Sequence, residues 1–179
     1  SVPIVGVIEP GAQGAVRASR HFKIGVIGTE GTIRSEAYPR AVVSHEPTAV
    51  VTSKACPLLV PLVEEGWLTE EVTEKTCHQY LEKILLKKID TLILGCTHYP
   101  LLKKVLQQVV GPEVILIDSA EETAKAVAVL LKQKNLLRSE NESPFRKFFV
   151  TDSPERFQRI GELFLKKPLQ DIERVSIES

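Results

Sequence analysis

Short, continuously apolar runs alternate along the chain with longer amphipathic stretches, the rhythm of parallel strands joined by helices, and the predicted class is α/β. The runs Val2 to Ile8, Lys23 to Gly28, Ala49 to Ser53, Thr91 to Gly95, Val114 to Ile117 and Lys147 to Thr151 read as strands. Most are apolar at successive positions, as expected where helices cover both faces of a sheet. Helices are predicted over Gly11 to Arg20, Gly31 to Val43, Leu58 to Glu65, Thr69 to Lys87, Pro100 to Val110, Ala120 to Gln133 and Pro154 to Leu165. Thr69 before Glu70 and Glu71, and Ser119 before Glu121 and Glu122, combine a hydroxyl cap with early acids, which a helix N-terminus favours. Leu136 to Pro144 is the most polar stretch and reads as a surface loop, with Asn141-Glu142-Ser143 inside it as a polar triplet. No repeat of fixed period is present.

The composition narrows the classes of function. In 179 residues, 23 Lys and Arg balance 23 Asp and Glu, and 43% of positions are hydrophobic. That content supports a packed core, and no apolar run approaches the roughly 18 to 20 residues that cross a bilayer. A balanced charge supplies no diffuse positive field, so neither nucleic acid nor a membrane is the expected partner, and a small molecule is. The three cysteines, Cys56, Cys77 and Cys96, have no C-x-x-C spacing, which points to reduced thiols in a cytoplasmic protein rather than disulfides or zinc. No Met occurs, and the opening Ser1-Val2-Pro3-Ile4-Val5 has strand-like density without the pattern of a signal peptide; it reads as a start downstream of an initiator.

Three segments carry candidate chemistry. The first is Asp90 to Leu102, where a buried strand ends at Gly95 and Pro100 starts a helix, leaving Cys96, Thr97 and His98 in the turn at the strand's carboxyl end. A thiol near a helix N-terminus is expected to gain thiolate character, and His98, two residues on, has a side chain suited to proton transfer. The alternative is a small buried hydrophobe beside a satisfied histidine. A Cys-His acyl-transfer site lacks a legible oxyanion-hole motif, and a metal site lacks further ligands at usable spacing. The second segment, Ile24 to Ile33, runs a strand into Gly28-Thr29-Glu30-Gly31-Thr32, whose N–H groups and hydroxyls suit a carboxylate or phosphate. It is neither a dinucleotide fingerprint nor a Walker loop, and an ordinary βα turn is the alternative. The third, Ser53 to Gly66, ends a helix in Glu64 and Glu65, where acids oppose the dipole; that invites a functional explanation, against the alternative of a solvated loop. Cys56 and Cys77 read as structural.

Taken together, Gly25-Val26-Ile27-Gly28-Thr29 with Gly31-Thr32, Lys54-Ala55-Cys56-Pro57 through Glu64-Glu65-Gly66, Gly95-Cys96-Thr97-His98-Tyr99-Pro100 and Leu116-Ile117-Asp118-Ser119-Ala120 closely resemble glutamate racemase in order and spacing. The resemblance implies a cofactor-independent isomerase that interconverts L- and D-glutamate with two cysteines on opposite faces of the α-carbon. It implies Cys96 as one acid/base, His98 as its support, and Thr97, Thr29, Thr32 and Glu64 as substrate-side residues, with no metal. It further implies a supply of D-glutamate for peptidoglycan in a bacterial cytoplasm, and a homodimer when intact. The fold implied is two pseudo-symmetric Rossmann-like domains with mostly parallel sheets, the first truncated here. On that pattern residues 1–9 are a remnant of the first domain, 10–113 form the second with Cys96, and 114–179 return to complete the first. The family's Asp-Ser-Gly, Pro-Tyr-Gly and Cys-Asn-Thr motifs are expected before Ser1, so that this chain alone, lacking the first cysteine, is expected to be inactive. Two alternatives stay open: an aspartate or hydantoin racemase, and a non-catalytic ligand-binding domain in which Cys96 is inert.

Overall fold

The structure, a computed structural model, describes residues 2–138 and 145–177. Two compact units divide the chain, Ser1–Leu136 and Leu137–Ser179. In the first, strands β1 (Lys23–Gly28), β2 (Val50–Ala55), β3 (Thr91–Gly95) and β4 (Ile115–Asp118) form a wholly parallel sheet in the order β2-β1-β3-β4. β1 and β3 coincide with the expected boundaries. Each is apolar at nearly every position because alternate side chains enter different cores: Ile24, Val26 and Ile93 pack on one face, Ile27, Leu92 and Leu94 on the other.

Helices α1 (Ile8–Ala18) and α3 (Ala37–His45) cover the first face, and α4 (Leu59–Glu64), α5 (Glu71–Leu85) and α6 (Lys103–Val110) the second. α1 also packs on α7 (Ser119–Gln133). That approach depends on Gly11, where a Cβ would stand 2.6 Å from the Ser119 hydroxyl. At the amino edge of the sheet, the Asp90 carboxylate accepts from the Ser19 hydroxyl at 2.6 Å, from the Arg20 and His21 N–H groups at 2.9 and 2.6 Å, and from the Thr91 hydroxyl at 3.0 Å. It thereby ties the loop after α1 to the start of β3.

Several sequence expectations are corrected. Val2 to Ile8 is not a strand: Ile8 already begins α1, and Pro10 is tolerated because it lies in the first turn, where a missing N–H costs nothing. The helix expected over Gly31 to Val43 is two, α2 (Glu30–Arg34) and α3, broken where Glu36 turns left-handed at φ 52°. Thr69 is not a cap, since α5 begins at Glu71 after Glu70. Asp118, not Ser119, caps α7, accepting from the N–H groups of Ala120 and Glu121. β4 pairs with β3, and residues 114–136 group with the preceding ones in one compact unit. The Asn141-Glu142-Ser143 triplet and most of the polar stretch around it lie outside the described residues.

The second unit contains β5 (Phe148–Val150), α8 (Pro154–Leu165) and β6 (Ile172–Arg174), with β5 and β6 parallel. Ser153 caps α8 by accepting from the Arg156 N–H. β6 was not expected from the sequence, since only Ile172 of its three residues is apolar. Among the described residues no helix is long and apolar enough to cross a membrane.

Candidate active site

The parallel sheet delivers the ends of its strands to one rim. Thr29 follows β1, Cys96 follows β3, and Asp118 ends β4 with Ser119 next. A cavity of about 330 Å³ opens on this rim, lined among others by Thr29, Thr32, Cys96, Thr97, Asp118 and Ser119. This is the crevice at strand carboxyl ends where open α/β sheets bind ligands. A groove of about 510 Å³ beside α5, lined by Leu58, Val72 and Tyr80 among others, is larger but contains none of the candidate residues.

Gly95 sets the depth of the cysteine. A Cβ there would stand 2.8 Å from the Ile27 carbonyl oxygen and 3.0 Å from the Tyr38 ring, so any side chain would push the turn outward. Beyond it, Tyr99 is fully buried and its hydroxyl donates to the Cys56 carbonyl at 2.9 Å, anchoring the single 3₁₀ turn Tyr99–Leu102 that leads into α6. Tyr38, equally buried, hydrogen-bonds Ser119 through its hydroxyl at 2.8 Å, and Ser119 donates to the Leu94 carbonyl at 3.4 Å. Ser119 has one proton and spends it on Leu94, so Tyr38 is the donor in that pair.

Cys96 is half-buried, and its Sγ lies 3.9 Å from His98 Nδ1. On the far side of the ring, His98 Nε2 is 3.2 Å from Glu64 Oε1, with both side chains mostly enclosed, while the Thr97 hydroxyl is 3.4 Å from Nδ1. The result is a thiol, an imidazole and a carboxylate in sequence, the geometry in which an imidazole exchanges a proton with sulfur while the acid fixes its orientation and stabilises its charge. Helix-end N–H groups alone were expected to lower the Cys96 pKa. Burial pushes it up instead and outweighs the opposing His98 and Tyr99 N–H groups. The other thiols stand higher: burial raises Cys56 to about 12 and Cys77 to about 11.

The Thr29 hydroxyl caps α2, accepting from the Thr32 N–H at 3.2 Å, and lies 3.0 Å from the Thr32 hydroxyl, so both threonines sit at the start of a short helix facing the cavity. Of the six residues singled out from sequence, Cys96, Thr97, Thr29 and Thr32 line the cavity, whereas His98 and Glu64 form a pair outside its lining. Sequence reasoning on position alone did not bring out the Glu64–His98 contact, which spans 34 residues, nor Tyr38, Asp118 and Ser119 as cavity walls. Asp118 and Ser119 shared the signal that exposed Cys96, a polar residue at a strand's carboxyl end; Tyr38 had none. Among the described residues no group of three or more His, Cys, Asp or Glu side chains is arranged to hold a metal ion.

Fold and cavity together define a parallel α/β protein with a thiol-bearing pocket at its strand ends. A family profile described as Asp/Glu/hydantoin racemase matches residues 1–127, and the chain belongs to that family. It is 50% identical over 179 residues to a glutamate racemase of Geobacter metallireducens and 52% identical over 176 residues to one of Syntrophus aciditrophicus, covering 66% and 65% of those proteins. The crystal structure of glutamate racemase isoform RacE1 from Bacillus anthracis matches 99% of the chain, at a TM-score of 0.92 and 39% identity, with 66% of that structure covered. The chain thus spans about two thirds of the length of the relatives it matches.

Proposed function

We propose that this chain is the Cys96-bearing part of a glutamate racemase, which inverts the α-carbon of glutamate by two-base proton transfer. The observation that carries the reading is the Cys96–His98–Glu64 series, whose sulfur lines a cavity that Thr29, Thr32 and Thr97 also line while the imidazole and carboxylate stand behind it. In one direction the Cys96 thiolate removes the α-proton: the C–H bond breaks, its electron pair stays on the α-carbon, and an S–H bond forms. In the other direction the Cys96 thiol donates that proton. His98 takes up or returns the sulfur's proton between turnovers, and Glu64 holds the imidazole in place and stabilises its charged form. Thr29, Thr32 and Thr97 bind the substrate carboxylates through hydroxyl and backbone N–H groups. Burial makes the Cys96 thiolate a stronger base than an exposed one, which suits a weakly acidic C–H.

Inversion needs an acid and a base on opposite faces. Cys56 and Cys77 are fully buried, so the second base comes from protein beyond this chain, within the third of the relatives' length that the chain does not match. The intact enzyme is a cytoplasmic homodimer whose D-glutamate enters peptidoglycan. Circular dichroism of L- and D-glutamate incubated with the intact protein in deuterated water tests the proposal. Loss of optical activity with deuterium at the α-carbon, without added cofactor, and its abolition by Cys96→Ala are expected. A protein that racemises aspartate or a hydantoin in preference would move the assignment to another branch, and indifference to Cys96→Ala would overturn it.

A further inference from the structure

The cavity wall contains a carboxylate that an anionic ligand must face. Asp118 is 7% exposed, lines the cavity, and pairs in register with Leu94, two residues before Cys96. Its position is dictated by the fold, because it caps α7: Oδ1 accepts from the Ala120 and Glu121 N–H groups at 2.8 and 3.3 Å. Oδ2 is 2.8 Å from Lys103 Nζ. Both oxygens are engaged by the chain itself, Oδ1 by two N–H groups and Oδ2 by the Lys103 ammonium. Glutamate brings two carboxylates and one ammonium, and an uncompensated Asp118 would repel it across the cavity.

Lys103 is the first residue of α6 and lies outside the cavity lining, behind Asp118. Burial disfavours its ammonium charge, but Asp118 and Glu121 outweigh burial and hold it protonated. Glu121, its second partner, is mostly exposed and faces solvent, where water and salt screen it. We infer that Lys103 sets the charge of the Cys96 cavity, neutralising the Asp118 carboxylate in its wall so that the pocket accepts a dicarboxylate. The inference rests on the proposed glutamate substrate and adds a specificity-determining residue that does not touch it.

Steady-state kinetics on L- and D-glutamate at fixed ionic strength test the inference in the intact protein. Charges separated by the width of a small cavity, in a medium of intermediate dielectric, change affinity by about tenfold, so Lys103→Met is expected to raise KM about tenfold with kcat little changed. Lys103→Arg keeps the charge and the wild-type KM. Asp118→Asn keeps an acceptor for the helix cap and removes the charge, so on its own it does not raise KM. Combined with Lys103→Met it returns KM to near the wild-type value. A purely structural tie between α6 and α7 predicts the reverse, since the double variant lacks that tie as fully as Lys103→Met does. An unchanged KM in Lys103→Met, or a double variant as impaired as that single one, overturns the inference. Should Lys103→Met melt before it can be assayed, Asp118→Asn alone decides, and a raised KM refutes. Wild-type protein in the same assay separates the two readings, because its failure to racemise glutamate would count against the proposed function itself.

Discussion

Glu64→Gln isolates the carboxylate behind His98. The substitution keeps size and an acceptor oxygen but removes the negative charge 3.2 Å from Nε2. Both side chains are largely enclosed, at 24% and 20% exposure for His98 and Glu64, so the pair is poorly screened and resembles a charge-assisted hydrogen bond more than a surface ion pair. Such a bond contributes about 1.5–3 kcal/mol, and its loss whenever His98 is charged corresponds to about 10- to 100-fold in rate. L- and D-glutamate have equal free energies, so microscopic reversibility requires kcat/KM to fall by the same factor in both directions. The assay is racemisation followed by circular dichroism from each enantiomer, with a thermal melt to confirm that the variant is folded. A Glu64→Gln protein that melts like wild type and keeps kcat/KM within a factor of two would refute the role assigned to the series.

Alkylation by iodoacetamide at neutral pH is expected to modify Cys96 ahead of Cys56 and Cys77, whose thiols are buried and pushed up to about 12 and 11; peptide mapping after partial reaction reads the order, and equal rates would count against a primed Cys96. Asp90→Asn is expected to destabilise the protein by about 2–3 kcal/mol at pH 7, since an amide oxygen cannot accept all four hydrogen bonds and its NH₂ opposes the donors. Burial alone would raise the Asp90 pKa, but those donors hold it below the ordinary value, so its contribution is fully present above about pH 4 and is lost as pH falls through the folded-state pKa. Urea unfolding at pH 7 and pH 3 should therefore show the wild-type advantage shrinking in acid, and an advantage that is constant with pH would contradict the assignment.

The legible parts of the fold were those whose signals are local. β1 and β3 are apolar runs closed by glycine, and their boundaries follow from sequence to the residue. Val2 to Ile8 has the same apolar density but becomes coil and a helix start, because density does not distinguish a strand from the entry to a helix whose small face, Gly11, Ala12, Gly14 and Ala15, is buried further on. The break between α2 and α3 falls at Glu36, a residue with no turn signal, held by Ser35 accepting from the Ala37 N–H and donating to the Thr32 carbonyl. At the site, position at a strand end exposed Cys96, Thr29 and Thr32. What brings Glu64 to His98, Tyr38 to Ser119 and Lys103 to Asp118 is packing of helices against one another and against the strand-end turns, which no local pattern encodes.

Parallel register explains why so short a set of turns makes a cavity. Gly28 is level with Gly95 across β1 and β3, so Thr29 and Cys96 emerge as the next residues of neighbouring strands at one height, and Leu94 is level with Asp118 across β3 and β4, so Ser119 follows one residue lower, level with Gly95. Gly28 is also level with Ala55 on β2, which puts Cys56 on the same rim as a second strand-end thiol. By position the two cysteines are equivalent; by environment they are not. Cys56 turns into the core beneath α4, its carbonyl taken by the Tyr99 hydroxyl and its sulfur 3.6 Å from the Lys54 carbonyl, and burial removes it from acid/base work. Cys96 rests on Gly95, half-open to the cavity with an imidazole behind it. The chemistry at this rim is therefore chosen by which strand-end thiol the helices leave uncovered, and a substitution that loosened the α4 packing over Cys56 would be expected to create a second reactive sulfur before it altered the first.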